Sequence, residues 1–142
     1  MFDVGQAECF LLTKGLLNVL VDCGSASQGK CLVNNIKKRN VEKFDYVFIT
    51  HPHEDHMGGL IEILRYFKVG KIVLPNIAVR KITAKWYNRV MTVLNSGKYD
   101  LEIAEKNRIY YLGDVEKKIL TDASYQGANL NNYSTVFKIS YG

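Results

Sequence analysis

The chain has 142 residues, 47% of them hydrophobic, 23% charged and 11% aromatic, with only two prolines. At roughly 100–200 residues per domain this length predicts a single domain, and the composition excludes disordered, collagenous, low-complexity and coiled-coil classes. The net charge of +5 favours anionic partners without naming one. No apolar run reaches the ~20 residues of a membrane helix, and Met1 is not followed by a basic segment and a cleavage site, so the expected location is the cytoplasm. Cys9, Cys23 and Cys31 are an odd number without CxxC spacing. They are expected to be reduced, buried, small apolar side chains.

In chain order, residues 1–4, 9–13 and 16–21 read as short strands separated by glycine turns, a β meander. Leu32, Val33 and Ile36 recur at helical spacing and predict a helix over 29–38, followed by a buried strand over 46–50. Leu60, Ile63, Leu64 and Phe67 form the i, i+3, i+4, i+7 stripe of an amphipathic helix. A strand over 71–74 ends at Pro75, and Ile82, Trp86, Val90, Val93 and Leu94 mark a further helix stopped near Gly97. Residues 101–103, 108–112, 118–120 and 135–139 read as strands, with Gly113 and Asp114 as a hairpin turn. A chain that stops directly after a strong strand is expected to be a piece of a longer domain.

All three histidines fall within six positions, at His51, His53 and His56, on the expected strand-to-helix loop. In an extended segment residues i and i+2 point to the same side, so His51 and His53 can chelate one ion. Pro52 between them biases His51 away from helical geometry. Asp55 and His56 lie just beyond and can reach a second ion, and Gly58 and Gly59 let the backbone pass close by. A single histidine is more often a core or surface residue than a ligand, but three with an aspartate at this spacing form a metal-site pattern. Two ions ~3.5–4 Å apart would acidify a shared water and clamp both oxygens of a hydrolysed ester.

The motif from Thr50 to Gly59 resembles the HxHxDH signature of the metallo-β-lactamase superfamily. Phe2 to Gln6, Val21 to Gly24 and Asn131 to Val136, with Tyr141 and Gly142, are similar in order to its ComEC-type branch, related to the soluble domain of the bacterial competence DNA-uptake protein. The resemblance implies an α/β fold, the αββα sandwich, represented by its N-terminal half and the start of its second sheet. It also implies a two-metal site, usually zinc and sometimes manganese. His51 and His53 would bind the first ion and Asp55 and His56 the second, with Asp55 also beside the hydrolytic water as the catalytic residue. Asp22 and Thr50 would support the histidine loop from behind; the plainer reading of Asp22 is a turn residue before Gly24.

The superfamily also uses a third histidine and a bridging aspartate that ends a later strand. This chain has no further histidine. In the ComEC-type branch an Asn-x-Ser segment stands at that position, matched by Asn132 and Ser134, which either edge the site or cap a turn. The bridging aspartate is not found after that segment, so each ion is expected to have about two protein ligands here and to be held weakly.

The remaining positive charge lies in residues 37–39 and in Arg80, Lys81, Lys85 and Arg89, of which Lys81, Lys85 and Arg89 share one helical stripe. Such a run is either a solvated face or a phosphate-attracting surface. Trp86 beside it either belongs to the core or stacks on bases. The expected function is a metal-dependent hydrolase acting on phosphodiesters, with DNA as a partner. The alternatives are a catalytically incomplete fragment or non-catalytic metal- or nucleic-acid-binding module, and a lactamase or thioesterase on the same fold. An incomplete sandwich exposes strand edges, so self-association is also expected.

Overall fold

The structure is a computed structural model that describes residues 8–77, 82–121 and 134–141. Strands β1 (Phe10–Lys14) and β2 (Leu17–Val21) form an antiparallel hairpin. Its two-residue turn is closed by Gly15 at φ +58°, a conformation glycine adopts without steric cost. Strands β3 (Lys43–Phe48), β4 (Lys68–Leu74) and β5 (Leu101–Ile103) then add in parallel, giving the order β1-β2-β3-β4-β5. Parallel neighbours need long crossovers. These contain α1 (Gly29–Lys37), the short α2 (Glu54–Met57) followed by α3 (Leu60–Tyr66), and α4 (Lys85–Leu94).

The pleat sorts the side chains of the first sheet between two cores. Leu20, Ile72 and Leu74 face the helices, where Leu32, Val33 and Ile36 of α1, Leu60 and Ile63 of α3, and Val90 and Leu94 of α4 meet them. Leu20, Leu32, Ile36, Leu60, Ile63 and Ile72 are at most 1% exposed, each contributing about 1.5–3 kcal/mol of burial. Val19, Val21, Phe48 and Val73 point the other way. They pack on a second, antiparallel sheet of β6 (Ile109–Leu112), β7 (Val115–Ile119) and β8 (Phe137–Tyr141). The rings of Phe48, Tyr110 and Phe137 interlock there, with centroids 5.1 Å apart for Phe48–Tyr110 and for Phe48–Phe137.

The described residues therefore form three layers, helices, sheet and sheet, as expected of part of an αββα sandwich. The outer helical layer of the second sheet is not represented among them. Several sequence expectations shift. Only the second and third strands of the expected meander are described, and they form a hairpin that continues into parallel pairing because α1 crosses over before β3. Strand β3 starts at Lys43 and β7 at Val115, both earlier than hydrophobicity alone suggests, because ladder bonds carry through Lys43, Glu116 and Lys117. Gly113 and Asp114 do turn the β6–β7 hairpin, with Leu112 opposite Val115 and Gly113 at φ +64°. Cys9 and Cys23 are buried, but Cys31 is exposed on the solvent side of α1, contrary to the expectation for all three. No helix among the described residues is long and apolar enough to cross a membrane.

Candidate metal centre

The site is built where β2 and β3 end. Val21 and Phe48 are register partners, so the segments that follow them leave the sheet side by side. In open parallel sheets the carboxyl ends of neighbouring strands form the usual ligand-binding crevice. The Asp22 N–H donates to the Phe48 carbonyl at 2.8 Å, and its backbone then turns into the left-handed region at φ 59°. Its carboxylate, fully buried, accepts three hydrogen bonds from the histidine loop. Oδ1 takes the Thr50 N–H at 2.7 Å, and Oδ2 takes the Thr50 hydroxyl at 2.6 Å and His56 Nδ1 at 2.8 Å.

The loop is not a plain strand-to-helix connection as expected. His53, extended at φ −105° and ψ 158°, caps the four-residue α2, and Asp55 and His56 are carried on that single turn. Four residues are too few to give a readable periodicity. Backbone bonds hold α2 against the segment after β2: Cys23 N–H donates to the His56 carbonyl at 2.7 Å and Gly59 N–H to the Gly24 carbonyl at 2.9 Å. The approach is so close that a Cβ on Gly59 would overlap the Cys23 carbonyl oxygen, which gives glycine a physical reason to stand there.

His51, His53 and Asp55 each present a ligand atom, all within 4.8 Å of one another. Glu8, Asp22 and His56 make a second such group. The His51 ring lies 4.8 Å from that of His53 and 3.7 Å from that of His56, centroid to centroid. Asp55 Oδ2 stands 3.7 Å from His56 Nε2, so the half-exposed carboxylate lies between His51 and His53 on one side and His56 on the other. The sequence reading paired Asp55 with His56 alone; the geometry places it with His51 and His53 as well.

The electrostatics suit a metal ligand set. Burial, followed by the neighbouring His56 and His53, lowers the His51 pKa to about 4, so its imidazole is neutral and has a lone pair to donate at physiological pH. Burial acts against the His56 cation too, but the hydrogen bond and charge of Asp22, with Asp55 and Glu8, outweigh it and raise its pKa. Asp22 accepts from Nδ1, which fixes the proton there and leaves Nε2 as the outward-facing nitrogen. Nitrogen and carboxylate donors converging in this way fit zinc or manganese ions.

Thr50 lies inside this network, and its carbonyl accepts the Thr135 N–H at 2.7 Å, which joins the second sheet to the loop. Ser134 therefore sits one residue from a direct bond to the histidine loop, and its own carbonyl accepts from Thr121 Oγ1 at 3.1 Å. Asn132 lies outside the described residues, as do Arg80 and Lys81. Glu8 and Thr135 were missed by the sequence reading. Glu8 comes to the site through the backbone, its N–H donating to the Asp55 carbonyl at 3.2 Å and its carbonyl accepting from Gly24 at 3.1 Å.

The family model described as the metallo-beta-lactamase superfamily matches residues 2–129. The chain belongs to that superfamily. Among curated relatives, the anti-Pycsar protein Apyc1 of Paenibacillus sp. strain J14 is 36% identical over 80 residues, covering 55% of this chain and 31% of its own length. Ribonuclease Z of Bacillus mycoides strain KBAB4 is 35% identical over 88 residues, covering 61% of this chain and 28% of its own. Among solved structures, a HARLDQ-motif mutant metallo-beta-lactamase from Cronobacter sakazakii superposes with a TM-score of 0.65 at 17% identity, covering 94% of this chain and 52% of that one. A flavo di-iron protein mutant from Thermotoga maritima gives 0.64 at 16% identity, covering 92% and 30%. The chain thus spans about a third of the curated relatives' length and about half of the lactamase, and at these identities the solved structures carry the fold alone. The superfamily has a hydrolase-type fold. The matches support it without singling out its ComEC-type branch.

Proposed function

We propose that this chain carries the metal centre of a metallo-beta-lactamase superfamily phosphodiesterase that cleaves nucleic acid. The observation behind the reading is the convergence of His51, His53 and Asp55 within 4.8 Å of one another, with His56 held beside them by Asp22. Two zinc or manganese ions would supply Lewis acidity toward a phosphoryl oxygen and lower the pKa of a water. The residues of the chain do the rest. His51, His53, Asp55 and His56 hold the ions, Asp55 places its carboxylate where a water proton can be accepted, and Asp22 keeps the His56 proton on Nδ1. Names of relatives such as ribonuclease Z point to RNA, whereas the ComEC-type resemblance points to DNA, so both are tested.

Zinc-loaded protein is expected to hydrolyse an activated phosphodiester and a single-stranded RNA or DNA oligonucleotide. His53→Ala and Asp55→Ala should each lower bound zinc and reduce hydrolysis by about 10²-fold or more. Equal zinc content and equal hydrolysis in both variants would overturn the reading. So would nucleic-acid binding without any zinc uptake, which is the behaviour of a non-catalytic module. Cleavage of a β-lactam or thioester in preference to phosphodiesters would reassign the substrate.

Self-association is proposed as well. Among the described residues β8 pairs only with β7, and Ile139 on it is 47% exposed. Ile139 also lines an open apolar cavity of about 390 Å³ between the sheets, with Leu12, Leu17, Val19 and Val115. An unpaired, apolar edge beside such a cavity is a template for pairing. Light scattering is expected to give a mass that rises with concentration, and Ile139→Lys should lower it. A monomer at all concentrations would count against edge pairing.

A further inference from the structure

We infer that the groove between α3 and α4 binds a single-stranded stretch of the nucleic-acid substrate outside the bond that is cleaved; this rests on the nuclease reading above. The groove has a volume of about 210 Å³ and is lined by Ile61, Glu62 and Arg65 on α3, by Trp86, Arg89 and Val90 on α4, and by Ala26 and Gly58. The last two connect it to the metal centre. Gly58 directly follows α2, and the Ala26 N–H donates to Glu54 Oε1 at 2.7 Å, so one flank of the groove is the helix that carries Asp55 and His56.

The charged side chains that line the groove are Arg65, Arg89 and one carboxylate, Glu62, so the lining keeps a net positive charge through Arg89. No acidic residue occurs on α4, and neither Lys85 nor Arg89, four positions apart on one face, has an ion-pair partner among the described residues. Arg65 Nη1 donates to Glu62 Oε1 at 2.5 Å, which holds its guanidinium at the groove while its side chain stays 58% exposed. That leaves the planar guanidinium of Arg89, with Lys85 one turn before it, to meet phosphate oxygens. Trp86 is half-buried, with part of its ring packed on the helical core and part lining the groove. The core and base-stacking roles weighed from the sequence are therefore compatible. An aromatic ring beside a cation without an ion-pair partner, here Trp86 beside Arg89, is the combination that takes up single strands, because bases stack on the ring while phosphates meet the charge. A merely solvated charged face would have no concave surface and no aromatic wall.

Trp86 is the only tryptophan in the chain, so its emission reports on the groove. The full chain, with EDTA present to prevent hydrolysis, is titrated at low salt with a single-stranded RNA oligonucleotide and in parallel with its DNA counterpart. The expected result is a saturable change in Trp86 emission. Arg89→Glu should weaken binding about tenfold or more and lower the slope of log K against log salt by about 0.7. Lys106→Glu makes the same charge change on the β5–β6 turn and should stay within about twofold. Binding without a Trp86 response, or equal weakening by Arg89→Glu and Lys106→Glu, would overturn the groove assignment. Cleavage by zinc-loaded protein without a Trp86 response would remove the groove and leave the nuclease reading intact. A Trp86 response sensitive to Arg89 without zinc-dependent cleavage would do the reverse.

Discussion

Asp22→Ala is expected to destabilise the chain by about 3–5 kcal/mol and, with the metal centre proposed above, to lower its zinc affinity. The carboxylate accepts from Thr50 N–H, Thr50 Oγ1 and His56 Nδ1, all in the interior. Removing it orphans three donors at once, each at a cost of about 1–3 kcal/mol, partly recovered where water enters. Alanine must also adopt the positive φ of 59°, which costs about another 1 kcal/mol for a residue with a Cβ and no local hydrogen bond. Asp22→Asn separates the two effects. It retains the shape and the tolerance of positive φ, but its amide supplies one acceptor oxygen where the carboxylate used two. The His56 proton is then free to move to Nε2, which removes the lone pair from the ligand side. Its expected signature is a zinc affinity lowered about 10–100-fold, read by competition with a chelator, with a smaller loss in denaturant midpoint. Wild-type zinc affinity in Asp22→Asn would mean that the buried carboxylate only holds the fold.

How far the site could be read from sequence depended on where its parts lie. His51, His53, Asp55 and His56 are close in the chain, so their spacing alone exposed them. Asp22 and Thr50 are 28 residues apart and meet because β2 and β3 pair in parallel with Val21 opposite Phe48, a register that no local pattern specifies. Thr135 is joined to the site through a backbone group, which every residue carries, and Glu8 brings its carboxylate there from 14 positions before Asp22, so no local side-chain spacing marks either. The strands and helices were legible where apolar residues recur with a clear period, as at Leu32, Val33 and Ile36. They were misjudged where charge interrupts that period. Lys117 shows the difficulty best: alternation places it on the same inward face as Val115 and Ile119, yet a lysine is ordinarily assigned to solvent.

Lys117→Met is expected to stabilise the protein by about 2–4 kcal/mol near pH 6. Lys117 is 0% exposed, and its Nζ has no hydrogen-bond partner among the described residues. It lies 3.6 Å from the centroid of the Phe48 ring and 4.0 Å from that of Phe137. These two aromatic faces offset part of the desolvation cost but not all of it. Burial lowers its pKa from 10.5 to about 7, against the opposing pull of Asp22. The unfolded chain therefore holds one more proton than the folded one between about pH 7 and 10.5. Wild-type stability should rise with pH through that window, by at most about 1.4 kcal/mol per unit, and the penalty should be fully present below it. Methionine fills the same space with a polarisable thioether between the rings and carries no charge at any pH. The gain from Lys117→Met should thus be greatest at pH 6 and shrink steadily toward pH 9, whereas the raised thiol pKa values of Cys9 and Cys23 affect both proteins alike. Paired urea denaturations at pH 6, 7.5 and 9 measure this difference. A constant difference across the series, or a loss of stability in the variant, would show that the ammonium is solvated or paired in solution and that the buried position is not the resting state of this side chain.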